Sequence, residues 1–110
     1  MAKIEKIVHG DFDTILDTIH RAVLKKSSTS SCEEGSDFKK GDFRCAVRVY
    51  ERYSITGGNR VSMAVTLVGG NGEYYLSAIT SGGSQAIFFK MNTFGEEAFL
   101  ETISNAIDNM

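Results

Sequence analysis

Phe43-Arg44-Cys45-Ala46-Val47-Arg48-Val49-Tyr50 is the stretch on which the fold turns. Phe43, Cys45, Val47 and Val49 alternate with Arg44, Ala46, Arg48 and Tyr50, which is the two-residue period of a strand with one buried face. The apolar set is expected to face inward and the arginine set outward. The pattern continues toward Ile55, although Glu51 interrupts the apolar phase, as a bulge or an overhang past a helix layer would.

Working toward the C-terminus, Thr56-Gly57-Gly58-Asn59 reads as a turn. Val61, Met63, Val65 and Leu67 then form the inward face of a second strand. Gly69-Gly70-Asn71-Gly72 follows, and its Asn-Gly pair is the strongest short hairpin signal in the chain. A strand over 74–81 and another over 86–91, separated by Gly82-Gly83, complete a meander. Thr93-Phe94-Gly95-Glu96 fits a capping box, in which hydroxyl and carboxylate satisfy backbone N–H groups reciprocally. Behind it Phe99, Leu100, Ile103, Ala106, Ile107 and Met110 share one helical face.

Working toward the N-terminus, Asp37, Lys39 and Lys40 suit a charged turn, and residues 28–34 read as a weak edge strand. Residues 3–9 form a first strand ending at Gly10. Asp11 is a good N-cap for a helix over 12–26, where Phe12, Ile15, Leu16, Ile19 and Val23 recur at helical spacing. Acids Asp13 and Asp17 lie early and Arg21, Lys25 and Lys26 late, which complements the helix dipole. The expected architecture is α+β in the order β-α-β(5)-α: a mostly antiparallel meander sheet with two helices packed on one face. At 110 residues the chain reads as one domain, 1–110.

Composition narrows function by exclusion. The apolar share of 42% and charged share of 24% are globular values. A net charge of −2 gives no long-range attraction to nucleic acid or anionic lipid. No apolar run approaches the roughly 20 residues of a membrane helix, and Met1-Ala2-Lys3-Ile4-Glu5-Lys6 does not resemble a secretory signal. The expectation is a cytoplasmic protein without a membrane role. Cys32 and Cys45 lack the partners of a zinc site, Cys45 is expected to be inward as a small hydrophobe, and Cys32 exposed. No metal and no cofactor are expected.

The face opposite the helices is the candidate binding surface. Alternation assigns to it Arg44, Ala46, Arg48, Tyr50 and Arg52 from the first long strand and Arg60, Ser62, Ala64, Thr66 and Val68 from the next. Tyr75, Ser77, Ile79 and Ser81, then Ala86, Phe88 and Lys90, follow from the last two. A one-residue slip would reverse any strand. Arginine mixed with aromatics is the composition of protein interfaces, so Arg44, Arg48, Tyr50, Arg52, Arg60, Tyr75 and Phe88 are the expected binding residues. They point to self-association as a homo-oligomer or to a protein partner. The alternative is a small apolar or anionic ligand held between the sheet and the C-terminal helix near Met63, Phe99 and Ile103. Nucleic acid is disfavoured, although aromatic-bearing sheets do stack single-stranded bases.

No catalytic constellation is recognisable, and the expectation is a protein that is not an enzyme. His9 and His20 are the only histidines, and nothing in the sequence brings either to Ser81 or Ser84. Ser81-Gly82-Gly83-Ser84-Gln85 leads into a strand, whereas a phosphate loop leads into a helix. Glu33-Glu34 and Glu96-Glu97 are neighbours whose side chains diverge, unlike a glycosidase pair.

Three stretches carry a resemblance: Phe43 to Tyr53, Thr80-Ser81-Gly82-Gly83-Ser84-Gln85-Ala86, and Phe94-Gly95-Glu96-Glu97-Ala98-Phe99-Leu100. Through them the chain resembles a family of short bacterial proteins that is a domain of unknown function. That likeness implies a bacterial, cytoplasmic setting and no activity. The element order is similar to TATA-binding-protein-like and helix-grip folds, a likeness of fold alone.

Overall fold

In the computed structural model, residues 1–25, 29–53, 60–82 and 99–108 are described. Within them lie β1 (Ala2–His9), α1 (Phe12–Lys25), β2 (Ser30–Lys40), β3 (Phe43–Tyr53), β4 (Arg60–Gly70) and β5 (Glu73–Gly82). Residues 99–107 are helical and are called α2. The five strands form one sheet in the order β1-β5-β4-β3-β2, antiparallel at every junction. The fold is α+β with the order β-α-β4-α. The expected strand over 86–91, the Thr93 capping box and Phe88 lie outside the described residues.

The helix starts where its cap chemistry places it. Asp11 Oδ2 accepts hydrogen bonds from the Thr14 backbone N–H at 3.0 Å and the Thr14 hydroxyl at 2.9 Å. This satisfies a donor that the first helical turn leaves unpaired. Phe12, Ile15, Ile19 and Val23 are the buried stripe of α1, as their spacing predicts. Gly10, at φ +138°, turns the chain from β1 into this helix, and its N–H donates to Gly72 O at 3.0 Å.

The hairpin turns follow the same logic. Asn71 and Gly72 have φ of 57° and 78°, two successive left-handed residues as in a type I′ turn, and they join β4 to β5. Between β2 and β3 the positive φ falls on Gly41 alone, at 60°, as in a type II′ turn. That turn moves the end of β2 outward. Asp37, Lys39 and Lys40 are strand residues rather than a turn, and β2 runs for eleven residues instead of ending at 34. Its charged, exposed surface is that of an edge strand protected against further pairing. Of the two explanations for Glu51, the bulge is absent from β3, whose register with β4 is continuous. A shift lies instead in β2, between Cys32 and Glu34.

One core lies between the sheet and the helices. Met63, Val65 and Leu67 of β4 and Leu76 and Ala78 of β5 meet Ile15, Ile19 and Val23 of α1 and Phe99, Ile103 and Ile107 of α2. Phe12 packs edge-on against Tyr74 with ring centroids 5.2 Å apart. Lys6 reaches over from β1 to donate to Ile107 O at 2.8 Å, where a cation suits the exposed carbonyls of a helix end.

The largest correction concerns β3. Ala46 and Tyr50 are buried, and they pair with Leu67 and Met63, which face the helices. Arg44, Arg48 and Arg52 share that register, so the arginine set lies on the helix side. Phe43, Cys45, Val47 and Val49 face away, and Cys45 is therefore not an inward core residue. The physical reason lies at the border of the helix layer. There the guanidinium groups of Arg44 and Arg48 reach Asp13 and Asp37, and that of Arg52 approaches the Phe99 ring. The long stems thus lie on the helix side while their tips keep partners.

Candidate functional site

On the helix side, each expected arginine is engaged. Arg44 makes a two-point bond to Asp13, with N···O distances of 3.0 and 2.9 Å, and its guanidinium lies 4.1 Å from the centroid of the Phe12 ring. The Arg44 bond holds the Asp13 carboxyl below its ordinary range. Arg48 donates to Val47 O at 2.9 Å and to Asp37 at 3.0 Å, lying across the β2 backbone. Gly35 leaves it that room, since a Cβ there would come within 3.1 Å of the guanidinium. Arg52 approaches the Phe99 ring, at 5.9 Å from its centroid.

Tyr50 is the pivot of this flank. Its side chain is 0% exposed, and its hydroxyl pairs with His20 Nδ1 at 2.9 Å. Burial pushes the phenol up to about 12. Asp13, Leu16, Asp17, His20 and Arg48 line a cleft of about 240 Å³ beside it. Its charges are already matched: Asp13 by Arg44, Asp17 by Arg21 at 3.0 Å, and Arg48 by Asp37. The arrangement fastens α1 to β2 and β3. Arg44, Arg48, Tyr50 and Arg52 are thus removed from the open face, where alternation had set them.

Arg60 and Tyr75 do lie on the open face. Tyr75 donates to Glu5, a bond that lowers the Glu5 carboxyl and raises the phenol. Arg60 bonds the Tyr53 hydroxyl, stacks over its ring at 4.8 Å and pairs with Glu51 at 3.2 Å. Lys3 meets Glu5 at 3.3 Å, and His9 meets Glu73 at 3.3 Å.

Between these pairs the surface carries apolar rows. The cross-strand register aligns Ile7, Tyr75, Val68, Cys45 and Phe38, one residue from each strand, into an unbroken apolar row. Phe43 adjoins its end, edge-on to Phe38 at 6.2 Å. Four residues along the strands, beyond a mostly polar row of Glu5, Ser77, Thr66, Val47 and Ser36, lies a second row: Lys3, Ile79, Ala64, Val49 and Glu34. The large apolar side chains exposed on the described strands, Ile7, Phe38, Phe43, Tyr53, Tyr75 and Ile79, all belong to this face. Phe38 is 57% exposed and Tyr75 37%. Scattered apolar exposure is ordinary on protein surfaces, but a contiguous patch across a whole sheet marks an interaction surface.

Sequence reasoning missed Ile7, Phe38, Phe43 and Cys45, whereas Val68 and Ile79 were expected on this face and lie there. Four apolar positions in β3 look like core, and Phe38 was hidden among charges. The available signal was the Gly41-Asp42 turn, which sets Lys40 opposite Phe43 and Phe38 opposite Cys45.

A second concavity, of about 260 Å³, lies between β1 and α2 and is lined by Ile4, Leu100, Glu101 and Ser104. Among the described residues no group of three His, Cys, Asp or Glu is placed to hold a metal ion, and no helix is long and apolar enough to cross a membrane. No curated protein matches the chain. A family model does match, over residues 1–110, and its description is "Family of unknown function (DUF6054)". The chain belongs to the DUF6054 family.

Proposed function

We propose that this chain is a non-enzymatic assembly module that associates through the open face of its sheet. The observation that carries this reading is the five-strand apolar row from Ile7 to Phe38. Five strands at about 4.8 Å spacing and 8–11 residues at about 3.3 Å rise give a face of roughly 600–900 Å². About 800 Å² per partner is the size of a stable protein interface. Sheets also pack naturally face to face, about 10 Å apart and rotated by about 30°. The paired charges of Lys3, Glu5, His9 and Glu73 stand along the β1 side of the apolar row, as part of a polar rim would.

The test is solution mass across a concentration series. The wild-type chain should exceed its monomer mass of 12.0 kDa. A Val68→Lys variant, with a charge at the middle of the row, should return to it with its fold intact. A wild-type chain that stays monomeric into the high micromolar range would overturn self-assembly.

The groove between β1 and α2 supports a second reading, a small-ligand site walled by Ile4 and Leu100 with Glu101 and Ser104 at its mouth. Met63, Phe99 and Ile103 are fully buried in the core, so such a ligand would lie at the groove and not among them. A bound species in native mass spectrometry, lost on Leu100→Glu, would support it.

A further inference from the structure

We infer that the partner is a second copy of this chain, related by a two-fold axis that runs parallel to the strands along β4. This rests on the assembly reading above. It adds which residues meet across the interface.

Two copies facing each other as an isologous pair have their axis in the plane of the interface. For sheets crossing at about 30° that axis lies within about 15° of the strands or of the direction across them, and the two rows distinguish these cases. Set along β4, the axis reverses each row onto itself. Val68 meets the partner's Val68, Tyr75 meets the partner's Cys45, and Ile7 meets the partner's Phe38. In the second row Ala64 meets its own copy and Ile79 meets the partner's Val49. At both ends of that row Lys3 meets the partner's Glu34, so opposite charges come together twice.

An axis across the strands does worse wherever it is placed. Drawn through the Val68 row, it carries the Ile79 row beyond the partner's hairpin turns and leaves Ile79 and Val49 uncovered. Drawn midway between the rows, it sets Lys3 against the partner's Ile7 and Glu34 against the partner's Phe38. Each charge would then lose water without gaining an opposite charge across the interface. Of these arrangements the axis along β4 covers both apolar rows and pairs Lys3 with the partner's Glu34 at both ends of the second. At the hairpin end it sets Glu73 opposite the partner's Phe43 and His9 opposite the partner's Lys40. Rim charges add little raw affinity, but they fix register and reject the wrong arrangement.

The experiment is a charge exchange in trans with full-length chains. Lys3→Glu alone sets Glu against Glu at both contacts, and Glu34→Lys alone sets Lys against Lys. Each variant should dimerise about tenfold more weakly than wild type at low salt, two like-charge contacts being involved. An equimolar mixture, one variant isotopically labelled, restores both opposite-charge contacts. Native mass spectrometry should then show mixed dimers, with an affinity within about threefold of wild type on the same grounds. Both residues are exposed on edge strands, and mixed-dimer formation itself certifies that the variants are folded. A wild-type dimer with no preference for mixed pairs would overturn this axis and leave the assembly reading standing. A monomeric wild type would overturn both.

Discussion

Replacing Tyr50 by Phe separates the two possible locations of this side chain. On the open face the hydroxyl would be solvated and its loss nearly silent. In the structure it is fully buried and bonded to His20 Nδ1 at 2.9 Å. Losing that bond should cost about 0.5–1.5 kcal/mol at neutral pH. A second effect appears in alkali. The folded phenol lies at about 12 against an ordinary 10.0, because burial disfavours the phenolate. A raised value means that the folded state holds the proton longer than the unfolded chain. The phenol's contribution is therefore complete below pH 10 and is lost as pH rises toward 12. At pH 11 the loss amounts to roughly 1–1.5 kcal/mol. The stability gap between wild type and Tyr50→Phe, measured by urea unfolding, should therefore shrink by that amount between pH 8 and pH 11. Other tyrosines and lysines titrate in both proteins and cancel in the difference. A gap that stays constant would refute the buried placement, as would folded wild type whose phenols all ionise together near 10.

The remaining predictions concern local geometry. Gly69→Ala should destabilise by more than about 2 kcal/mol in urea unfolding, because the added Cβ would lie 2.5 Å from Glu73 O at a φ of +151°. Asp11→Ala should cost about 1 kcal/mol through the lost cap, and Asp11→Asn should recover most of it. Arg44→Ala should alter acid unfolding. The Asp13 carboxyl is held low by Arg44, so its contribution is present above the ordinary aspartate range and lost as pH falls through the lowered value. The variant should lose stability at neutral pH and show a shallower acid limb than wild type.

How much of this was legible in the sequence depends on how each strand advertises its two faces. In β4, Val61, Met63, Val65 and Leu67 alternate with a polar or small residue, and only one phase is sensible. α1 shows both its apolar stripe and its cap. In β3 both faces are rich in carbon, since Arg44 and Arg48 carry long apolar stems and Tyr50 has a large ring. Their polar tips suggest solvent, but each tip has a partner that is remote in sequence: Asp13, Asp37 or His20. Hydropathy cannot see those partners. β2 was underestimated for a related reason. Its charges protect an edge, and a protected edge strand looks like a loop. The candidate surface was therefore anticipated as a face, with its β4 and β5 residues such as Arg60, Val68, Tyr75 and Ile79 correctly set on it. Its β3 residues came from the wrong phase.

The position of β1 has a consequence for the order in which this chain acquires structure. β2 through β5 pair with their neighbours in sequence, whereas β1 pairs with β5 across separations such as the 78 residues from Ala2 to Thr80. Closing so long a loop is entropically slow, while the tight turn at Asn71-Gly72 closes quickly. During synthesis β1 and α1 leave the ribosome before β2 to β5, yet the strand that β1 pairs with is complete only at residue 82. We expect pulse-labelled hydrogen exchange to protect β4 amides before those of β1; simultaneous protection would argue against this order. In the interval the β5 edge stands unpaired beside an apolar surface, and the chain is most vulnerable to aggregation then.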